Sequence, residues 1–368
     1  MSKIRQTTLE INLQSLSHNF QYLSSHLSKN TKLMAVVKAF SYGNNPVVIG
    51  KKLIELGADY LAVAYDTEAI DLRLAGIKKP ILIFHPYAVN FEKIIEHQLT
   101  PSIFSKKKLE RFIDVAEKQQ QKAYPIHLKL NTGFNRLGFE PENLDFISEK
   151  LAQTEAVKVE GIFSHLAASQ DPQERDFTLL QLKNFKVLSE NIINKLNHNP
   201  LRHLCNTSGI LNYPEAHFDM VRTGIGLYGY GNAAEIDAQL KPVGSLKTVI
   251  SQIHHLEEGD SVGYNRRFIA SKKMQTATLS LGYADGIHRH YSNGKTAVFV
   301  NGKPAPIIGD ICMDMFMIDV TNINCEEGTE VTIFGAEQSA EDFAKAAGTI
   351  SYEVITTIAH RVKRVIIE

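Results

Sequence analysis

The chain has few cysteines, no excess of charge and no long hydrophobic run, and each shortage excludes a class of protein. Its 368 residues contain three cysteines, Cys205, Cys312 and Cys325, an odd number at wide spacing. This spacing suits neither a disulfide framework nor a zinc site, and it favours a reducing compartment. The 40 basic and 40 acidic side chains give a formal net charge of zero, which argues against a general surface for nucleic acid or anionic membranes.

The N-terminus and the hydropathy pattern carry no targeting or membrane signal. Residues 1–10 lack the apolar core of a secretory signal peptide. No apolar run approaches the roughly 20 residues that a membrane-spanning helix needs. We therefore expect a soluble, cytoplasmic protein.

The first 230 or so residues alternate between strand-like and helix-like segments. Short apolar stretches rich in β-branched residues are each followed by a helical apolar period. The predicted strands are 31–38, 59–64, 80–84, 99–103, 124–130, 157–164, 202–205 and 218–221. Such alternation predicts a parallel sheet, and eight units closing on themselves form a (β/α)8 barrel of the TIM type. An open doubly wound sheet is the alternative, but its glycine fingerprint after the first strand is missing.

After about residue 232 the pattern changes to strands separated by turn signals. Turns such as 258–260, 292–294 and 301–302 contain glycine and divide segments with strand-like composition. We therefore predict an α/β protein with two domains, a barrel over residues 1–235 and a mostly β C-terminal domain over residues 236–368.

The candidate functional residues follow the predicted barrel strands, because active sites in such barrels lie at the carboxyl ends of the strands. Lys38 ends a buried strand, where desolvation would lower its pKa and leave a reactive amine. A lysine that simply leaves the sheet into solvent is the alternative. The other strand ends carry Tyr42, Lys129, Arg136, His165, Asn206, Thr207, Ser208, Arg222, Gly224 and Ile225. This set lacks the carboxylate pair of a glycosidase and the His/Asp cluster of a metal site, so no metal is predicted.

Two loops in this set suit a phosphate group. Residues 207–209 open a short helix, whose free amides and dipole favour an anion. Gly224 and Gly226 allow a backbone to approach a ligand closely, although ordinary capping and turn glycines would also explain the pair. A reactive lysine together with a phosphate site suggests pyridoxal 5′-phosphate.

Motifs along nearly the whole chain resemble those of alanine racemases, pyridoxal-phosphate enzymes of fold type III. The matching segments are 35–39 with 42–43, 129–133 with 136–139, 163–165, 218–222, 224–229, 263–264, 282–286, 309, 312–314 and 351–353. Each motif is weakly specific alone, whereas all of them in this order are highly specific. The resemblance implies interconversion of L-alanine and D-alanine, which supplies D-alanine for peptidoglycan.

The resemblance also implies roles for individual residues. Lys38 would bind the cofactor covalently, and Lys38 and Tyr264 would act as bases on opposite faces of the α-carbon. The cofactor would be held by Lys38, Tyr42, Arg136, His165, Asn206, Thr207, Arg222, Gly224, Ile225 and Tyr352. The substrate would meet Arg136, Tyr283, Met313 and Asp314. Lys129 resembles the lysine that some members carry as a carbamate.

Four of these residues belong to the second domain, namely Tyr264, Tyr283, Met313 and Asp314. In the family such residues reach the partner subunit's site, so the implied assembly is a head-to-tail homodimer with shared active sites.

The position of Arg222 leads to a hypothesis about the reaction. In the family such an arginine faces the pyridine nitrogen, and arginine stays protonated and only donates hydrogen bonds. It therefore cannot protonate the ring, which makes the ring a weaker electron sink and limits transamination.

Several positions depart from the family pattern and keep other functions open. Phe40 and Ser41 replace an Asn-Ala pair, Phe134 replaces a methionine, and Asp310 replaces an arginine. A racemase of broader specificity, for serine or basic amino acids, is one alternative, and a decarboxylase of the same fold is another. A non-catalytic pyridoxal-phosphate carrier is less consistent with the chain, because such carriers lack the β domain.

Overall fold

Contacts divide the described chain into two units, one built mainly from residues before Leu240 and one mainly from residues after it. The structure is a computed structural model that describes residues 5–231 and 233–368. The first unit comprises Ser17–Ser41 and Pro46–Leu240. The second unit comprises Lys241–Glu368 together with Tyr42–Asn45 and the segment up to Leu16.

This division differs from the predicted domains in three ways. The boundary falls after Leu240 rather than after residue 235, and both the N-terminal strand and the segment Tyr42–Asn45 belong to the second unit. Strand β1 (Thr8–Asn12) pairs with partners more than 200 residues away in the chain. Local sequence patterns carry no information on such distant pairing, so the strand could be predicted but not its sheet.

The first unit contains a closed barrel of eight parallel strands, which confirms the predicted fold class. The strands are β2 (Lys32–Val36), β3 (Tyr60–Val63), β4 (Ile81–Ile83), β5 (Thr100–Ile103), β6 (Tyr124–Lys129), β7 (Val157–Phe163), β8 (Leu201–His203) and β9 (Met220–Thr223). Each overlaps one of the eight predicted strands. The barrel closes where β2 pairs with β9, with Met34 opposite Arg222.

Helices alternate with these strands, and the longer ones carry an apolar stripe that packs on the barrel. In the first 240 residues they are Leu13–Ser25, Pro46–Glu55, Asp66–Leu74, Phe91–Glu96, Lys106–Lys118, Leu144–Ala152, Arg175–Ile193, Thr207–Asn212 and Ala234–Asp237. Lys106–Lys118 illustrates the pattern, since Ser105 caps its start and Leu109, Phe112 and Ala116 are buried at helical spacing.

The second unit is mostly β, as predicted. Its later strands are β10 (Gly244–Leu256), β11 (Ser261–Val262), β12 (Phe268–Ile269), β13 (Met274–Leu279), β14 (Ala297–Val300), β15 (Lys303–Ile308), β16 (Phe316–Asp319), β17 (Glu330–Phe334) and β18 (Lys363–Ile367). The main sheet has the order β13-β16-β15-β14-β17-β10-β1-β18, and β13 also pairs with β10. Helices Ala340–Lys345 and Ser351–Thr356 complete the unit. Among the described residues, no helix combines the length and hydrophobicity that crossing a bilayer requires.

The chain makes a left-handed turn, Lys38–Gly43, directly after β2 and Val37. Four consecutive non-glycine residues have positive φ, with 52° at Ala39, 56° at Phe40, 53° at Ser41 and 52° at Tyr42. This conformation costs roughly 1–2 kcal/mol for each such residue, because Cβ approaches the following carbonyl oxygen. The turn has no signal in the sequence, since only its last residue is a glycine.

Candidate active site

Lys38 begins the left-handed turn at the carboxyl end of the barrel. Burial lowers the pKa of its amine from the ordinary value, the positive charge of Arg136 lowers it further, and Glu68 acts in the opposite direction. The lysine is therefore held in a desolvated setting rather than released into solvent. This environment increases the fraction of neutral, reactive amine near neutral pH.

A second lysine, Lys129, is buried at the end of strand β6 in the same barrel mouth. Its pKa is lowered to about 8 by burial and by the positive charges of Arg136, Arg222 and Lys38. No carboxylate is among these causes. The structure thus brings four predicted cationic residues into one electrostatic group, which favours anionic ligands.

Arg222 lies on β9 and is almost fully buried without a carboxylate partner. Its Nη1 donates to Nδ1 and to the carbonyl oxygen of His203, at 2.8 and 3.0 Å. Its Nη2 donates to the carbonyl oxygens of Ser164 and Leu204, at 2.7 and 3.1 Å, and to His165 Nδ1 at 3.3 Å. Burial lowers the pKa of this guanidinium to about 10, so it remains protonated at neutral pH.

These bonds determine the protonation of the neighbouring histidines. Because Arg222 can only donate, the Nδ1 atoms of His203 and His165 must accept, and their protons lie on Nε2. The His203 Nε2–H then donates to His127 Nδ1, 3.0 Å away. The proton of His127 is in turn on Nε2, which lies 3.8 Å from a carboxylate oxygen of Glu160.

The same histidines are neutral for an independent reason. Burial lowers the pKa of both His165 and His203 well below the ordinary value, and the charge of Arg222 adds to this effect. The pKa of His127 is also lowered by burial, against the opposing influence of Glu160. Arg222 is therefore the positive charge of this cluster, and the rings around it act as neutral acceptors and donors.

The two loops predicted to bind phosphate pack against each other at the ends of β8 and β9. Thr207 Oγ1 lies 3.0 Å from Thr223 Oγ1 and accepts a hydrogen bond from the Gly226 amide at 3.3 Å. A Cβ at position 226 would lie 2.5 Å from the Thr207 methyl group, so this glycine is required by loop packing. Asn206 caps the helix Thr207–Asn212 by accepting from the Gly209 amide at 2.9 Å.

In the second unit, the two tyrosines predicted as phosphate ligands lie side by side. The ring centroids of Tyr42 and Tyr352 are 6.1 Å apart. Gly43 follows Tyr42 with φ of 81°, and a Cβ there would lie 1.9 Å from the carbonyl oxygen of Ile355. Only glycine fits this position, which explains the Tyr-Gly pair.

The remaining predicted residues form a separate group in the second unit. Tyr264 and Met313 line a pocket of about 770 Å³ together with Asp314, and their side chains are 70% and 54% exposed. Tyr283 is also exposed, and its amide donates to the carbonyl oxygen of Cys312 at 3.0 Å. This unit therefore presents a cluster of exposed side chains suited to contact with another molecule.

Three carboxylates of this unit are engaged in ion pairs. Asp314 Oδ1 accepts from Arg361 at 2.7 Å, and the same guanidinium binds Asp285 at 2.7 and 3.0 Å. Asp310, which departs from the family pattern, accepts from Arg289 at 2.7 Å and Asn293 at 2.9 Å. Arg361 was not singled out from the sequence, and it joins the loops that carry Tyr283 and Met313.

Comparison with protein families assigns both parts of the chain. The model described as "Alanine racemase, N-terminal domain" matches residues 11–232, and "Alanine racemase, C-terminal domain" matches residues 243–366. The chain belongs to the alanine racemase family. The resemblance seen in its motifs is thereby confirmed.

Individual alanine racemases match along the full length. Alanine racemase 1 of Clostridium acetobutylicum is 38% identical over 376 residues, covering 99% of this chain and 96% of the relative. The alanine racemase of Methanococcus maripaludis is 36% identical, with 97% of both chains covered. The crystal structure of the enzyme from D-cycloserine-producing Streptomyces lavendulae superposes with a TM-score of 0.94 at 31% identity, covering 100% of this chain and 98% of that one.

One of the similar solved structures contains a covalently bound cofactor. Alanine racemase from Bartonella henselae, described with covalently bound pyridoxal phosphate, has a TM-score of 0.89 and 28% identity, covering 98% of this chain and 99% of that chain. This chain therefore shares the fold of a racemase that binds pyridoxal phosphate.

Several residues that contact predicted site residues or their neighbours were missed from the sequence. They are Glu68, His127, Glu160, His203, Arg361 and Arg364. Glu68 has the strongest local signal, since a glutamate at the third position of a predicted helix is typical of a capping box. The contacts of the others are made to residues distant in the chain, so no local pattern marks them.

Proposed function

We propose that this protein is a pyridoxal-phosphate-dependent racemase that interconverts L-alanine and D-alanine for peptidoglycan synthesis. The observation that carries this proposal is the barrel mouth, where the partly buried Lys38 has a lowered pKa and lies among three other cationic side chains. Such a site suits a phosphorylated cofactor and the carboxylate of an amino acid. Kinship with alanine racemases along the whole chain supports the same reaction.

The donors in this site fit pyridoxal phosphate. Both Nη atoms of Arg222 donate hydrogen bonds to neighbouring residues. Its Nε–H, in contrast, has no acceptor among the described residues. A pyridine nitrogen without a proton suits this donor. We assign the cofactor to Lys38, Tyr42, Arg136, His165, Asn206, Thr207, Arg222, Tyr352 and the amides of Gly224 and Ile225. When bound, the cofactor supplies the electron sink that acidifies the α-proton.

Proton transfer requires one base on each face of the α-carbon. Lys38 is the first, because its lowered pKa favours the neutral amine that accepts a proton. Tyr264 is the second, and in this chain its side chain is 70% exposed. Arg136 and the Met313 amide would hold the substrate carboxylate, Asp314 would fix the Met313 loop, and Tyr283 would narrow the approach.

We further infer a head-to-tail homodimer in which the second unit of one chain completes the barrel site of its partner. The exposure of Tyr264, Tyr283 and Met313 supports this assembly, because large side chains with catalytic chemistry need a ligand or a partner to cover them. A two-fold interface would then produce two equivalent shared sites.

Mixing two inactive variants tests the shared site. Lys38→Ala and Tyr264→Phe chains, co-expressed with different tags, form heterodimers in which one site contains both native bases. Random pairing should restore about a quarter of the native activity. Lack of recovery in purified heterodimers would mean that each site is built from a single chain.

The reaction itself is tested by loss of optical rotation from L-alanine, L-serine and L-lysine. The purified protein should show visible absorbance and racemise L-alanine. Lys38→Ala should lose both properties, whereas Lys78→Ala, a control at an exposed lysine, should retain them. A colourless native protein that cannot be loaded with pyridoxal phosphate would refute the proposal.

A racemase of broader specificity is the second candidate, and Asp310 is the observation that favours it. Its buried carboxylate binds Arg289 and Asn293 in the place of a usual arginine, so the local charge is altered. Comparable kcat/KM values for L-serine and L-alanine would favour this candidate. A non-catalytic carrier is disfavoured by the presence of the complete second unit.

A further inference from the structure

The left-handed turn Lys38–Gly43 joins the two residues on which the cofactor site depends, Lys38 and Tyr42. Its backbone conformation is unfavourable for ordinary amino acids, since four non-glycine residues in a row have positive φ. A strained segment of this kind persists only when its surroundings hold it in place. Contacts at the two ends of the turn are part of this support, and they lie beside Lys38 and Tyr42.

The first end is held by the carboxylate of Glu68. Its Oε1 accepts from the Ala39 amide at 2.6 Å, directly after the lysine. Its Oε2 accepts from the amides of Ala64 and Tyr65, at 2.8 and 3.1 Å, where the chain leaves the neighbouring strand β3. A charged acceptor shared by three amides forms strong hydrogen bonds, and it ties the start of the turn to the barrel.

The other end is held by the guanidinium of Arg364. Its Nε and Nη2 both donate to the carbonyl oxygen of Gly43, at 3.2 and 2.9 Å. Further bonds anchor the same guanidinium to the carbonyl oxygens of Val362 and Ile358, both at 2.7 Å, and to that of Ala359. The planar fork of arginine suits this set of acceptors, whereas a lysine amine could reach only part of it.

We propose that Glu68 and Arg364 are positioning residues that clamp the two ends of the left-handed turn, Glu68 aiming Lys38 and Arg364 aiming Tyr42. The inference rests on the proposed function, because the aim of these side chains matters only if they hold the cofactor. Glu68 also places a negative charge near the Lys38 nitrogen, in a site where Arg136, Lys129 and the neutral His165 are the other titratable neighbours.

Glu68→Gln tests the first clamp, with Asp71→Asn as a matched control on the same helix at an exposed position. Hydrogen exchange measured by mass spectrometry should be about tenfold faster in the peptide over residues 37–44 of Glu68→Gln. The midpoint of the pH titration of visible absorbance in the holoenzyme should fall by about half a unit, because a nearby negative charge is lost. Asp71→Asn should change neither value.

Arg364→Lys tests the second clamp, with the exposed Lys363→Gln as its control. The affinity of the unloaded chain for pyridoxal phosphate should fall about tenfold, because Tyr42 is displaced. The midpoint of the absorbance titration should stay unchanged, since the charge near Lys38 is intact. A purely structural role would not separate the two variants in this way.

Two results would overturn the proposal. One is that Glu68→Gln and Arg364→Lys change the cofactor affinity and the titration midpoint equally. The other is that hydrogen exchange over residues 37–44 is unchanged in Glu68→Gln. If Glu68→Gln fails to fold, Glu68→Asp retains the charge but is too short for three amides. It should raise exchange without moving the titration midpoint, and an unchanged exchange rate would again overturn the proposal. Because hydrogen exchange needs no cofactor, the clamp is tested even if the native chain shows neither absorbance nor racemisation.

Discussion

At the scale of single residues, Arg222 organises the site because its guanidinium cannot accept a hydrogen bond. A guanidinium donates but never accepts, so each nitrogen that faces it must be an unprotonated acceptor. This rule fixes the tautomer of His203 and, through it, of His127, because their ring nitrogens lie 3.0 Å apart. The buried Arg222 therefore fixes the ring protons of His203 and His127 on their Nε2 atoms, and the second of these atoms lies near Glu160.

Selective 15N labelling of histidine tests this order. His203 and His127 should both show the neutral Nε2–H tautomer from pH 6 to pH 8, and neither should titrate in that interval. Arg222→Met removes the donor, so His203 should then sample both tautomers. A proton on Nδ1 of His203 in the native protein would contradict the hydrogen-bond network.

Lys129 provides a second prediction at this scale. A pKa of about 8 leaves an appreciable neutral fraction near pH 8, and only the neutral amine reacts with carbon dioxide to form a carbamate. The carbamate would add a negative charge among cations, which favours it. After incubation with 13C-labelled bicarbonate, 13C NMR should show one carbamate signal. The intensity of this signal should increase as the pH rises through 8. Lys129→Met should remove the signal; its persistence would assign it elsewhere.

The residues predicted at the ends of the barrel strands share one property, which is a local signal. Lys38, Thr207 and Arg222 each follow a strand whose hydrophobic pattern is visible in the sequence. His203 and Arg364 were missed because their partners are His127 and Gly43, 76 and 321 residues away. Local patterns cannot reveal such pairs, so the candidate site was predicted in composition but not in its supporting contacts.

At the scale of elements, strand β1 links the beginning of the chain to the second unit. It lies between β10, its antiparallel partner, and β18, its parallel partner. The eight barrel strands were predicted correctly because each has its own apolar pattern and a following helix. The sheet that contains β1 could not be predicted, since pairing across hundreds of residues depends on tertiary packing.

Substitution in β1 should therefore destabilise the second unit. Ile11 is fully buried, and Ile11→Ala should lower the free energy of unfolding by about 2–5 kcal/mol, whereas Ile11→Val should lower it by about 0.5–1.5 kcal/mol. Circular dichroism during denaturation measures this, which suits a chain without tryptophan. Equal stability of Ile11→Ala and the native chain would show that β1 is dispensable.

At the scale of the whole molecule, charge is balanced overall but not locally. The formal net charge is zero, yet the barrel mouth concentrates cations around Lys129 and buries three neutral histidines nearby. Burial of neutral histidine has a consequence for stability, because the unfolded chain can protonate these rings and the folded chain resists it.

Stability should therefore fall as the pH drops. The folded pKa values of His127, His165 and His203 are lowered, so the unfolded state binds more protons below an unfolded pKa of about 6.5. Each histidine then removes up to about 1.4 kcal/mol per pH unit below that value. Denaturation at pH 7.5, 6.5 and 5.5 should give a shallower slope for His203→Gln than for the exposed control His290→Asn. Identical slopes would argue against a neutral His203.

The pairing of β1 with β18 also determines when the protein can finish folding in the cell. Thr8 lies opposite Lys363, so β1 waits for the synthesis of β18 before this pairing can form. At roughly 5–20 residues per second, that wait is on the order of tens of seconds. The barrel strands are all synthesised within this interval, whereas the second unit completes its sheet only after β18 has emerged. Until then one edge of β1 has no strand partner, even after β10 has paired with the other edge, and such an open edge makes the nascent chain a natural client for chaperones.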